Sequence, residues 1–181
     1  MTASARLMHW VAEQHRGQKI KYSGELYFNH LQRVALIAGP VVQLGFEIGL
    51  CHDLFEDTSV TKQELRNALM SFGYKRMETD EIAACVTELT DVYTVKKFPD
   101  FSKPYRKELE ATRLAGISAL AQTVKYADLI DNLNWVLQYE PHKARKYLLK
   151  KQMLLIAMDK GSAQLRRKAF ALIQIKLIDF L

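Results

Sequence analysis

The run Leu44-Gly45-Phe46-Glu47-Ile48-Gly49-Leu50-Cys51-His52-Asp53-Leu54-Phe55-Glu56-Asp57 decides how this chain is read. It begins mostly apolar and ends with four ionisable side chains, His52, Asp53, Glu56 and Asp57. A helix from about Val41 to Phe55 is the natural assignment, and it is buried over Leu44 to Leu50. Continued helically, the cluster places His52 one turn from Glu56 and Asp53 one turn from Asp57. Burying so many ionisable groups beside apolar residues is costly unless a metal ion or other cations compensate. Adjacent imidazole and carboxylate can both ligate one cation if other helices complete the set, and such donors suit Mn, Fe, Co or Zn. The plainer reading is an acidic helix C-terminus with a capping histidine.

The rest of the chain supports helices around that run. Glycine (8) and proline (4) are scarce among 181 residues, which argues for long helices over many short strands. Helical spacing predicts elements over residues 3–16, from Tyr27 to Gly39-Pro40, and at about 78–91, 105–118, 120–139, 142–159 and 162–180. Thr61 with Glu64 is a capping box for a further helix ending near Phe72-Gly73. Residues 17–25 form a basic turn segment, and 92–104, with Pro99 and Pro104, a loop. The expected fold is therefore all-α, one domain over residues 1–181 with a C-terminal helix at about 162–180.

The two cysteines, Cys51 and Cys85, sit in apolar stretches and are expected to be free thiols in a reducing cytoplasm. Residues 1–18 lack the uninterrupted apolar segment of a signal peptide, and the longest apolar stretch, Val34 to Val42, is too short to span a bilayer. The formal charge of +6 suits a polyanionic partner, either nucleic acid or a phosphorylated small molecule. No recognition-helix or zinc-finger pattern points to nucleic acid.

A second polar face lies in Gln122-Thr123-Val124-Lys125-Tyr126-Ala127-Asp128-Leu129-Ile130-Asp131-Asn132. Lys125, Asp128 and Asn132 are spaced by three and four and share one helix face, with Asp131 near its edge. Inward-facing Asp and Asn need partners. A buried Lys–Asp ion pair with a structural Asn would satisfy the same pattern. His30 opens a third element, Tyr27-Phe28-Asn29-His30.

Taken in order, these segments resemble the HD-domain metal phosphohydrolases, specifically the hydrolase domain of the RelA/SpoT homologues. The family pattern runs Gly-Gln, a basic stretch, Ser/Thr-Gly-Glu-Pro-Tyr, a His at a helix start, His-Asp-x-x-Glu-Asp-Thr, and Lys-x-Ala-Asp-x-x-x-Asn. This chain has Gly17-Gln18-Lys19-Ile20-Lys21-Tyr22-Ser23-Gly24-Glu25-Leu26-Tyr27, then His30, then His52 to Thr58, then Lys125 to Asn132. The likeness extends over about residues 8–158. It implies an HD-type helical bundle and one divalent cation, usually Mn²⁺, held by His30, His52, Asp53 and Asp128, with Asp131 a rival for the fourth place. Glu56 and Asp57 match the family's catalytic acidic pair. Asn132 matches a nucleotide contact, Lys21 and Lys125 could neutralise pyrophosphate charge, Arg106 could do the same, and Tyr147 resembles a late substrate-contacting tyrosine.

The reaction so implied removes the 3′-pyrophosphate of guanosine tetra- or pentaphosphate. The chemistry is coherent, since a carboxylate- and imidazole-bound cation acidifies water and a nearby carboxylate can take its proton. With 181 residues there is no room for a synthetase domain as well, which suggests a stand-alone small alarmone hydrolase. The partner expected is a phosphorylated guanine nucleotide, with homo-oligomers left open. Three positions depart from the pattern: Ile20 stands where the family commonly has a base-stacking Arg, and Leu26 and Leu31 replace prolines. Ile20 keeps a second substrate class in play, another nucleotide cleaved by an NADPH phosphatase, 5′-nucleotidase or phosphodiesterase. A non-catalytic metal- or nucleotide-binding module is the third reading.

Overall fold

In a computed structural model that describes residues 1–180, the chain folds into helices throughout. They are α1 (Ala3–Gln14), α2 (Tyr27–Ala38), α3 (Gly45–Cys51), α4 (Leu54–Asp57), α5 (Lys62–Phe72), α6 (Arg76–Leu89), α7 (Lys103–Gly116), α8 (Ala119–Tyr139), α9 (Pro141–Ala157) and α10 (Ala163–Ile178). Among the described residues the only β pairing is an isolated antiparallel bridge, Lys19 with Leu26, within the basic segment. The expected all-α bundle is the fold found. Among the described residues, no helix is long and apolar enough to cross a membrane.

Local chemistry sets the boundaries. Thr61 and Glu64 close the expected capping box on α5, and Gly73 ends that helix at φ 102°, a left-handed value that glycine adopts without strain. Ser102 and Ser118 cap α7 and α8 through their hydroxyls, and Pro104 sits in the first turn of α7, where its missing N–H costs nothing.

Helix α8 is the axis of the bundle. Val124, Ala127, Leu129, Ile130 and Leu133 are buried along it, and it packs against α2, α3, α6, α9 and α10. Its N-terminal half carries a polar knot. The Gln122 carbonyl accepts the Lys160 and Gly161 amides at 2.8 and 3.2 Å, and Tyr126 donates to the Met158 carbonyl at 2.8 Å. Thr123 Oγ1 accepts the Ser162 amide at 2.8 Å. These bonds tie the α9–α10 connection to the core and leave its buried polar groups paired.

The expected helix over 41–55 needs correction. The chain turns at 40–44, enters α3 at Gly45, leaves it after Cys51 and re-enters helix at Leu54. The Gly49 carbonyl, which a continuing helix would give to the Asp53 amide, instead accepts from His52 Nδ1 at 2.8 Å. The interruption frees His52 and Asp53 from the roughly 100° between neighbours on a helix, so both can face one centre.

Helices α2 and α3 approach closely through Gly49. A β-carbon built there would lie 2.7 Å from Ala35 Cα and 2.8 Å from Ala35 N. That contact brings the end of α3 beside the start of α2, and the His30 and His52 rings lie 5.2 Å apart.

Candidate metal centre and active site

His30, His52, Asp53 and Asp128 meet at the centre of the bundle, and both imidazoles are nearly inaccessible. His52 Nε2 lies 3.0 Å from Asp53 Oδ2 and 3.7 Å from Asp128 Oδ1. His30 Nε2 lies 3.7 Å from Asp53 Oδ2 and 3.5 Å from Asp128 Oδ1. Two nitrogens and two carboxylate oxygens thus face one point. His30, His52 and Asp53 place ligand atoms within 4.8 Å of one another.

The residues present fit a divalent cation. Each histidine uses Nδ1 elsewhere: His30 on Asp131 Oδ2 at 2.7 Å, His52 on the Gly49 carbonyl. With Nδ1 as the donor, Nε2 presents a lone pair to the centre, the tautomer a ligating histidine requires. His52 Nε2 is buried and has no hydrogen-bond partner. Charge tells the same story. Burial opposes protonation of His52, yet the Asp53 charge and Asp128 raise its pKa well above the ordinary value. Burial likewise opposes ionisation of Asp53, but His52 holds its carboxyl down to about 2. The carboxylates therefore demand positive charge at this point, and a divalent cation supplies it with both imidazoles neutral.

Partners fix the carboxylates. Tyr27 donates to Asp53 Oδ2 at 2.6 Å, Lys125 Nζ lies 2.8 Å from Asp128 Oδ2, and Asn132 donates to Asp128 Oδ1. Burial pulls against the charge of Lys125, but Asp128 holds it cationic. Asp131 turns away from the centre: it accepts from His30 Nδ1 and from Arg33 Nε at 2.6 Å, so it orients His30.

Beside the cluster, Glu56 Oε1 accepts the Asp91 amide at 2.5 Å. Desolvation beside the cluster, aided by the charges of Asp91 and Asp53, pushes the Glu56 carboxyl up to about 7, although the residue keeps contact with solvent. Burial, with the Asp53 charge, also raises Asp57. A pocket of about 330 Å³ opens at the cluster, lined by Lys21, Ile20, Lys125, Asp128, Asn132 and Trp135 among others but not by Glu56 or Asp57.

The remaining expected residues lie apart. The Arg106 guanidinium donates to the Phe98 and Phe101 carbonyls, bracing the 92–102 loop, and it does not line the pocket. Tyr147 packs partly buried against the core, with the Lys151 ammonium 5.2 Å from its ring. Four residues were not singled out from sequence. Tyr27 reaches the Asp53 carboxylate and Arg33 the Asp131 carboxylate that orients His30, His15 stacks on Tyr27 at 5.5 Å, and Trp135 lines the pocket. Arg33 is three residues beyond His30 and Trp135 three beyond Asn132, so helical spacing from the motif residues was the available signal.

No protein-family model matches the chain, and no curated protein sequence matches it. Among solved structures, a metazoan SpoT orthologue, described as hydrolysing ppGpp and as having a role in starvation responses, aligns with a TM-score of 0.78. The alignment covers 97% of this chain and 96% of that one, at 21% sequence identity. The likeness spans the whole bundle and establishes the fold.

Proposed function

We propose that this chain is a metal-dependent phosphohydrolase that removes the 3′-pyrophosphate from guanosine tetra- or pentaphosphate. The observation that carries the reading is the four-residue centre of His30, His52, Asp53 and Asp128, opening onto a basic pocket with Glu56 beside it. The ppGpp hydrolysis described for the structural neighbour supports the same substrate.

Mn²⁺ is the cation we assign; when bound it polarises a phosphoryl oxygen and acidifies a water. The protein's own residues do the rest. Lys125 stays charged beside Asp128 and meets the phosphate charge, with Lys21 at the pocket wall. Glu56, anchored to the Asp91 amide, accepts a proton from the attacking water, and Asp57 adds a second carboxylate next to it. Asn132, bonded to Asp128 and lining the pocket, is placed to touch the nucleoside. Tyr147, outside the pocket lining but near enough to feel the charges of Asp128 and Lys125, serves as a further substrate contact. The buried free thiols of Cys51 and Cys85 accord with a cytoplasmic enzyme.

The test is release of GDP and pyrophosphate from guanosine tetraphosphate by Mn²⁺-loaded protein. No turnover at micromolar enzyme, with metal content verified, overturns the substrate. One observation favours a second reading: apolar Ile20 lines the pocket, where a charged residue would read guanine more strictly. Activity on other phosphorylated nucleotides in a panel, without cleavage of 3′-pyrophosphates, selects that alternative.

A further inference from the structure

Trp135 lines the pocket about two helical turns from Asp128 and belongs to an aromatic stack that the hydrolytic chemistry does not need. Asp128, Asn132 and Trp135 follow one another at i, i+4 and i+7 on α8, so Trp135 lies on the order of 10 Å along the helix from Asp128. It lines the pocket together with Ile20 and Lys21. Tyr22 lies against its indole, ring centroids 5.9 Å apart and planes 21° from parallel. The indole Nε1 is buried and has no hydrogen-bond partner, an uncommon state for a buried donor.

Tyr22 is held in place loosely. It is 58% exposed, at the tip of the segment closed by the Lys19–Leu26 bridge. Its backbone sits at φ 68°, a left-handed conformation that costs a non-glycine residue energy. The Lys21 ammonium lies 4.6 Å above its ring. An exposed aromatic ring on a strained tip thus covers a pocket-lining tryptophan.

We propose that Trp135 is the nucleobase-stacking residue of this pocket and that Tyr22 is its displaceable cover, leaving the indole when a base takes the same face. The inference rests on reading the pocket as a nucleotide site. Exchanging one stacked ring for another is close to neutral in itself. Release of the strained Tyr22 backbone favours the exchange. Stacking asks only for a π-face, so it suits a pocket where Ile20 offers no hydrogen bond to guanine.

Binding without turnover tests this. In a Trp10→Phe background Trp135 is the only indole, and GDP, which cannot be turned over, quenches its fluorescence when titrated into metal-loaded protein, whereas pyrophosphate alone does not. Trp135→Ala weakens GDP binding, read by calorimetry, at least about ten-fold, and Trp135→Phe recovers most of that loss. Tyr22→Ala tightens GDP binding about three-fold or more, because a competitor for the indole is gone. Wild-type GDP affinity in Trp135→Ala, or equal quenching by pyrophosphate, overturns the stacking role. Unchanged or weaker binding in Tyr22→Ala overturns the cover. Stacking without hydrolysis of any substrate keeps this inference and sinks the hydrolase reading; hydrolysis with wild-type KM in Trp135→Ala does the reverse.

Discussion

Helix α8 buries polar side chains in its first turns and again at its middle, and the two stretches treat them differently. In the first, Gln122, Thr123 and Tyr126 close bonds onto the α9–α10 connection. In the second, Asp128 shares its surroundings with Asp53 and two histidines whose Nε2 atoms face the same point. Burial is similar; closure is not. A buried network that satisfies itself specifies a structure, whereas one left with convergent acceptors and a buried, unpartnered nitrogen specifies a ligand.

Mutations at the open centre should remove function and spare the fold. Asp53→Ala should lose its metal, with elemental analysis after gel filtration giving less than about a tenth of wild-type occupancy and hydrolysis falling more than about 100-fold. Compared metal-free, its melting temperature should fall only slightly, because losing the His52 and Tyr27 contacts of Asp53 is partly offset by relief of its repulsion with Asp128. Full occupancy in that variant would break the comparison at its root. Glu56→Gln should keep the metal and lose about 100-fold in kcat. Because desolvation beside the cluster pushes the Glu56 carboxyl up to about 7, its basic form grows as pH rises through neutrality. The wild-type rate should climb from about pH 6 to 8, and the variant should lack that limb.

Mutations at the closed knot should do the opposite. Gln122→Ala strands the Lys160 and Gly161 amides. We expect a loss of about 2–4 kcal/mol, or on the order of 5–12 °C in melting temperature, with metal retention unchanged.

The smallest effect concerns Lys151 on α9. Burial, with Lys125 and Lys107 nearby, holds its ammonium down to about 8 against the opposing pull of Asp128 and Asp91. The folded pKa lies below that of the unfolded chain, so this site's contribution is intact above about pH 10.4 and is lost as pH falls through about 8. Lys151→Met should therefore stabilise the protein by about 1 kcal/mol at pH 7, with the gain vanishing near pH 10.5, as followed by urea unfolding.

Much of this was legible beforehand for a definite reason. Thr61 with Glu64, and Gly39 with Pro40, are local signals, and the helices they bound appear as expected. His30, His52, Asp53 and Asp128 were brought together by motif order, which carries long-range information that spacing alone lacks. The break between α3 and α4 was not legible, because the residues that His52 and Asp53 meet there, His30 and Asp128, lie far away in the sequence. Nor were the couplings of Arg33 to Asp131 and Tyr22 to Trp135, which join residues about a hundred positions apart. Arg106 shows the converse: a basic residue near a motif whose guanidinium serves neighbouring backbone carbonyls.

The contact between Gly49 and Ala35 has a reach beyond packing. It works as a spacer gauge: the thickness of two backbones, with no side chain between them, fixes how far apart two imidazoles stand. A methyl group inserted there would be felt three residues on at His52 and five residues back at His30. If the centre holds a cation, its preference for one ionic radius over another would thus be set partly in the hydrocarbon interior, by a residue with no donor atom in its side chain.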